Sequence, residues 1–224
     1  MRRLLPVAML ALLIPLQAEA GEKVDLTAYL GIVPQVMDQR TYNDPNGLLR
    51  TEHVLSVTEV EGGWETLSRT DWVGGLVNYR VEHVIPGDRV RVNSMFGIAL
   101  PEPATWAQLL TRLPRTLATF KIRTRHPDLH QRVVFRSRIV GFEPLDTPAF
   151  SFPFVLRIDS EQKVRTESEL PGIPSGRSSI LVRDWYLAGV GRVATEWADV
   201  LTGVPNEWLV SAQVNDIVLP PEAP

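Results

Sequence analysis

The chain contains no cysteine. Disulfides, thiol catalysis, thiolate metal sites, iron–sulfur clusters and lipid attachment through an N-terminal cysteine are all excluded. Catalytic signatures are missing as well. There is no G-x-S-x-G elbow, and no glycine-rich loop opens a helix for phosphate. The acidic residues are scattered, so no general acid–base pair stands out. A basic excess is also absent. The 23 Lys and Arg face 26 Asp and Glu, a formal net charge of −3, which argues against general nucleic-acid binding. Beyond residue 20 no apolar run approaches the roughly 20 residues of a membrane-spanning helix.

What is present begins at the N-terminus. Arg2 and Arg3 precede an uncharged apolar run from Leu4 to Leu16, and Ala18-Glu19-Ala20 follows. This is the layout of a secretory signal peptide. The expectation is export to the periplasm with cleavage after Ala20. Residues 21–224 would then form a single β-rich domain with a frayed tail at 219–224. Without cysteine, an exported domain depends on packing and hydrogen bonding.

The segments Leu48–Val60, Trp64–Val73, Leu76–Ile85 and Arg89–Phe96 alternate in polarity. Each ends in turn residues, as a β-meander requires. Further strand-like segments follow from Thr119 to Val214. The sequence therefore predicts a mainly β fold, a curved antiparallel meander sheet or half-barrel of about eleven strands. One short helix is expected over Pro101–Leu113, where Trp106, Leu109, Leu110 and Leu113 recur at helical spacing.

Tight turns suggest a register in which Val60 pairs with Gly63 and Val73 with Leu76. One face then collects His53, Trp64, Thr66, Ser68, Thr70, Trp72, Tyr79 and His83. Arg50, Glu52, Arg69, Arg80 and Glu82 fall on the other. The polar groups among the aromatics either satisfy one another in a core or line a cavity. The candidate ligand-binding residues are His53, Trp64, Thr70, Trp72, Tyr79 and His83. In this register His53 faces Thr70 and His83 faces Thr66. That places them about 13 Å apart along the strand, too far to share a zinc ion. No metal and no cofactor are expected.

A second feature is a basic hairpin. Lys121, Arg123 and Arg125 alternate with apolar residues, and so do Arg132, Arg136 and Arg138. These six form a candidate anion-binding face. Like charges on one sheet face repel. Either a neighbouring acidic strand bearing Asp159, Glu161, Glu167 and Glu169 neutralises them, or an anionic partner does.

The segment Asp184-Trp185-Tyr186-Leu187-Ala188-Gly189-Val190-Gly191-Arg192-Val193 resembles one found in exported bacterial β-rich proteins. There an aromatic pair precedes a G-V-G-x-V turn between antiparallel strands. Gly141-Phe142-Glu143 and Thr147-Pro148-Ala149-Phe150 resemble the upstream part of that pattern. Those proteins are similar to half-barrel lipoprotein and lipid carriers. The resemblance covers about a third of the chain. This chain departs from it at Met37-Asp38-Gln39-Arg40, where a Gly and a Trp are usual, and it has no cysteine to lipidate. Independently of any family, Gly189 and Gly191 suit a tight reversal or bulge.

These readings point to a non-enzymatic binding or carrier protein of the cell envelope. Its ligand would be a lipid or another apolar or amphipathic small molecule, and an acidic envelope partner is also expected. The alternatives are a structural or accessory subunit of an envelope assembly, and a hydrolase without a recognisable motif. N-terminal sequencing of the exported protein should begin at Gly21. Retention of Met1 on membrane-bound protein would contradict cleavage.

Overall fold

The structure, a computed structural model, describes residues 23–47, 50–95, 98–126, 129–169 and 175–220. The expected signal peptide and the last four residues of the expected tail lie outside these. In chain order the elements are β1 (Lys23–Asp25), α1 (Thr27–Leu30), β2 (Gln39–Asn43), β3 (Arg50–Val60), β4 (Gly63–Trp72) and β5 (Val77–Ile85). Then come β6 (Arg89–Met95), β7 (Ile98–Gln108), β8 (Leu110–Arg112), β9 (Arg115–His126) and β10 (Leu129–Asp146). The last are β11 (Ser151–Ser168), β12 (Gly176–Leu187), β13 (Gly191–Ala198), β14 (Glu207–Val214) and β15 (Ile217–Leu219).

Thirteen of these strands form one antiparallel sheet in the order β7-β6-β5-β4-β3-β2-β14-β13-β12-β11-β10-β9, with β15 on β14. The fold is mainly β, as the alternation predicts, and the sheet is not closed into a barrel. It does curl. Val84, Val90 and Ala107 from β5 to β7 share a core with Ile139, Leu156 and Ile158 from β10 and β11. Strands far apart in sheet order thus face each other across a common interior. Register shifts recur along the ladders, among them Val54/Ser56, Ile139/Gly141 and Trp185/Tyr186. Each such bulge bends its strand and adds twist.

The N-terminal segment fills the curl. β1 pairs with β8 in a separate two-stranded sheet. Leu26 and Leu109 are both fully buried, and the Leu26 N–H donates to the Leu109 carbonyl at 2.7 Å. Asp25 Oδ1 accepts from the Thr27 N–H and hydroxyl at 2.8 and 2.6 Å, just ahead of the single turn of α1. The Gly189 N–H reaches back to the Ala28 carbonyl at 2.7 Å. Gly189 and Gly191 have φ of 76° and 91°, so the G-V-G reversal uses backbone that favours glycine.

The helix expected over Pro101–Leu113 is not formed. β7 and β8 occupy that stretch, and α1 is the only helix among the described residues. Burial there follows a two-residue period. Ala107 and Leu109 are buried while Gln108 and Leu110 are exposed. Trp106, Leu109 and Leu113 do meet one core, but from an extended chain. Pro101 and Pro103 are compatible with β7 because it is an edge strand, where a missing N–H removes no necessary ladder bond.

The expected register is also corrected. The β3–β4 hairpin starts as expected, with Val60 opposite Gly63, but Leu55 is bulged out. Beyond it every partner is displaced by one: Val54 faces Ser68, His53 faces Arg69 and Arg50 faces Trp72. Between β4 and β5 the ladder opens with Asp71 opposite Val77. The Trp72 N–H donates to the Leu76 carbonyl at 2.9 Å, which leaves Val73, Gly74 and Gly75 as a three-residue loop. Gly74 and Gly75 sit at φ of 106° and 88°. An odd loop in place of an even one moves the whole of β5 to the other face.

If the N-terminal segment is part of the core, Leu26→Ala should cost about 2–5 kcal/mol, as other buried leucine truncations do. Urea unfolding would register this as a lower midpoint at unchanged slope. An unchanged midpoint would mean that the segment does not hold the curl together.

Candidate ligand-binding site

Following cross-strand partners defines the inner face. On β4 it carries Trp64, Thr66, Ser68, Thr70 and Trp72. The corrected ladders add Arg50, Glu52 and Val54 from β3, and Asn78, Arg80, Glu82 and Val84 from β5. Arg40 and Tyr42 follow from β2. Across the curl, Asp184 faces Thr195 and Tyr186 faces Arg192, and Thr195 faces Glu207. The charged side chains of β3 and β5, expected on the solvent face, are thus inside.

These residues surround a cavity of about 360 Å³. Its wall includes Arg40, Arg50, Arg80 and Arg192, with Glu52 and Glu82 as the acidic members. Tyr29, Trp72, Trp106 and Tyr186 supply aromatic surface. The Trp106 and Tyr186 rings lie 6.0 Å apart, and the Arg80 guanidinium sits 5.7 Å from the Trp106 ring. The Arg50 guanidinium is held between the Tyr42 and Trp72 rings, at 4.4 and 5.0 Å. Such cation–π contacts strengthen when desolvated.

Glu52 anchors the charges. It lies 3.2 Å from Arg50 and 2.6 Å from Arg192. Burial alone would raise its carboxyl, but Arg192, Arg50, Arg40 and Arg80 overcome burial and hold it down at about 2. Arg50 also bonds Glu207 at 2.5 Å. Burial nevertheless keeps the Glu207 carboxyl above its ordinary range, with Glu52 and Asp184 adding to the rise and Arg192 and Arg50 opposing it. Burial likewise pushes the Tyr42 hydroxyl up to about 12, so it stays a neutral donor, to the Arg192 carbonyl at 3.0 Å. Arg40 donates through Nε to the Val190 carbonyl at 2.6 Å. A β-carbon at Gly191 would stand 3.3 Å from the Arg40 Nη2, so that glycine gives Arg40 its place.

Not every polar atom is matched. Arg50 Nε, Arg80 Nε and Asn78 Oδ1 are buried without a hydrogen-bond partner among the described residues. All three residues line the cavity. An unmatched buried polar group costs about 1–3 kcal/mol, so each of these atoms gains from a matching group placed there.

The sequence-derived candidates are divided by the corrected register. Thr70 and Trp72 line the cavity, and Trp64 shares their face, opposite Val84. His53, Tyr79 and His83 belong to the opposite face, paired with Arg69, Arg69 and Glu65. His53 still touches the cavity wall, while its ring Nε2 lies 3.5 Å from Asp71. His53 and His83 remain four residues apart along β4. Among the described residues no group of three or more potential ligands is placed to hold a metal ion.

Sequence reasoning missed Arg40, Arg50, Arg80, Glu52, Trp106 and Tyr186 as site residues. A signal was available: Arg50 and Glu52, like Arg80 and Glu82, are opposite charges at a two-residue spacing. That pattern places both on one face of a strand, although it does not say which face. Arg192 and Tyr186 lie inside the aromatic–G-V-G-x-V segment.

The basic hairpin is placed as expected. β9 and β10 pair with Arg123 opposite Arg132, Lys121 opposite Val134 and Arg125 opposite His130. The register therefore puts Lys121, Arg123, Arg125, Arg132, Arg136 and Arg138 at positions of one face of the pair, and on β10 Arg132, Arg136 and Arg138 are exposed. On β11 this face carries Asp159, Glu161 and Glu167, but Lys163 and Arg165 as well.

The molecule is thus a curled antiparallel half-barrel with a charged, aromatic-walled interior. No family model and no curated protein matches the sequence. Among solved structures it is similar to a candidate lipoprotein from Parabacteroides distasonis, 15% identical with a TM-score of 0.50. That alignment covers 85% of this chain and 99% of the other. A candidate exported protein with a YmcC-like fold from Bacteroides fragilis aligns at 15% identity and a TM-score of 0.49, over 83% of this chain and 99% of the other. At such identity the likeness to the P. distasonis protein concerns the fold alone.

The state of Glu52 sets a pH dependence. Its folded value is about 2 against an ordinary 4.5. The ionised carboxylate thus contributes about 3 kcal/mol above pH 4.5, lost as pH falls through 2. Glu207, shifted upward, works in the opposite sense over its own window. Glu52→Gln should be less stable than the parent at pH 7, by about 3–5 kcal/mol, and the gap should close as pH approaches 2. Urea midpoints across pH would show this. A gap constant over that range would mean that Glu52 is not the charged centre.

Proposed function

We propose that the protein is an exported, envelope-resident binding protein for an amphipathic molecule with an anionic head group. The observation that carries this reading is the trio of unmatched buried polar atoms, Arg50 Nε, Arg80 Nε and Asn78 Oδ1, in residues lining a cavity of about 360 Å³. Two guanidinium N–H donors and one amide acceptor suit a carboxylate or phosphate that also bears a hydroxyl. Trp72, Trp106, Tyr29 and Tyr186 offer the apolar surface that the rest of such a molecule requires. No G-x-S-x-G motif marks a nucleophile in the sequence, which favours binding over turnover.

Export is supported by the signal-peptide layout and by fold likeness to a candidate lipoprotein. Among the described residues no helix is long and apolar enough to cross a membrane. One domain over residues 21–224 is part of the same reading. It is supported by β1 pairing with β8 and by the main sheet continuing to β15.

Native mass spectrometry of the full chain, purified from the envelope without detergent stripping, tests the proposal. The expected result is an adduct of amphiphile mass that Arg80→Ala retains at least tenfold less well, through loss of a charge-assisted hydrogen bond. Arg80 is about a third exposed, so the variant should keep its fold by circular dichroism. Parent protein that carries no adduct and binds no added fatty acid or lysophospholipid would overturn the reading, leaving water as the occupant.

A further inference from the structure

We propose that the outer face of the long β9–β12 arm docks the protein on an anionic phospholipid surface. The register aligns Arg123, Arg132, Arg165 and Arg177 in one row across four neighbouring strands. At about 4.8 Å per strand the row spans roughly 14 Å. The next row holds Lys121, Val134, Lys163 and Ser179. A shallow groove of about 460 Å³ runs between the rows, with Val134 on its floor and Arg132, Lys163, Arg165 and Arg177 around it.

The neighbouring strand does not neutralise this face. Glu161 is engaged by Lys163 at 2.8 Å and lies 4.0 Å from Arg136. Glu167 is engaged by Arg165 at 2.7 Å. These are half-exposed pairs, and such pairs hold their partners weakly. Among the described residues neither Arg132 nor Arg177 forms an ion pair, and both are exposed. Like charges side by side on one sheet face repel. The fold gains nothing from them, because this end of the arm lies beyond the buried residues of β10 and β11. Counter-charge from outside relieves the repulsion.

A membrane fits better than an acidic protein for two reasons. The cations are long side chains spread over a flat face with an apolar floor, an arrangement that reaches many head groups and orients no single one. The chain as a whole is acidic, with a net charge of −3. A locally basic face therefore turns this end, and not the rest, toward a negative surface.

The test is co-sedimentation of the full mature chain with phosphatidylcholine vesicles, with and without phosphatidylglycerol. Binding should require phosphatidylglycerol and weaken with added salt. The triple variant R132A/R165A/R177A should lose roughly a hundredfold in partitioning, at about fivefold per basic residue, with an unchanged thermal melt. The control R69A/R89A/R112A changes net charge equally but leaves the arm intact, and should lose less than a third as much on a logarithmic scale. Equal losses in the two triples would overturn the proposal. So would equal binding to both vesicle types. Binding to soluble polyglutamate without binding to phosphatidylglycerol vesicles would also overturn it, in favour of an acidic protein partner.

Discussion

A largely buried carboxylate with guanidinium groups on either side organises this molecule. Glu52 touches Arg50 and Arg192, and those two residues come from opposite halves of the sheet, on β3 and β13. Ions taken out of water must be paired and hydrogen-bonded within the protein. The curl that brings β13 toward β3 is what supplies the partner. Without it Glu52 would face Arg192 from across an open sheet, and Arg50 would lose Glu207 on β14. The apolar contacts between the far ends of the sheet and the ion pairs at its middle therefore stabilise the same curvature.

The same network shapes the cavity. Arg40, Arg50 and Arg192 are fixed by a backbone carbonyl, by aromatic rings and by carboxylates, so their remaining donors point where the packing leaves them. Gly191 matters here through what it lacks, since a side chain would press on Arg40. The cavity is polar because its walls are ions already matched to one another, and it is incompletely matched at Arg50, Arg80 and Asn78. A dry apolar core of this size would have no use for such atoms.

Outer and inner faces use charge differently. On the outer face of β10–β12 exposed cations outnumber the acids between them, and Arg132 and Arg177 form no ion pair among the described residues. On the inner face each cation has an acid or a ring, except Arg40, which is held by the Val190 carbonyl. A census by residue type would not distinguish these surroundings, yet one is a neutralised interior and the other an incompletely neutralised exterior.

The sequence by itself determined the β class, the meander of β3 to β6, the glycine reversal at Gly189 and Gly191, and the single-faced placement of the basic hairpin. All of these rest on local two-residue alternation and on turn chemistry, which act within a few residues. It misled at Pro101–Leu113, where apolar residues spaced as on a helix meet the core from an extended edge strand. The face assignment of β3 and β5 was decided only by the tertiary structure. One bulge at Leu55 and one three-residue loop at Val73–Gly75 each shift the ladder by a residue, and a shift of one exchanges the faces. Charge could not arbitrate, because Arg50, Glu52, Arg80 and Glu82 read as a solvent face until Arg192 and Glu207, more than a hundred residues away, arrive to pair with them. Burial of an ion depends on its distant partner, and the curl of the sheet alone brings that partner in.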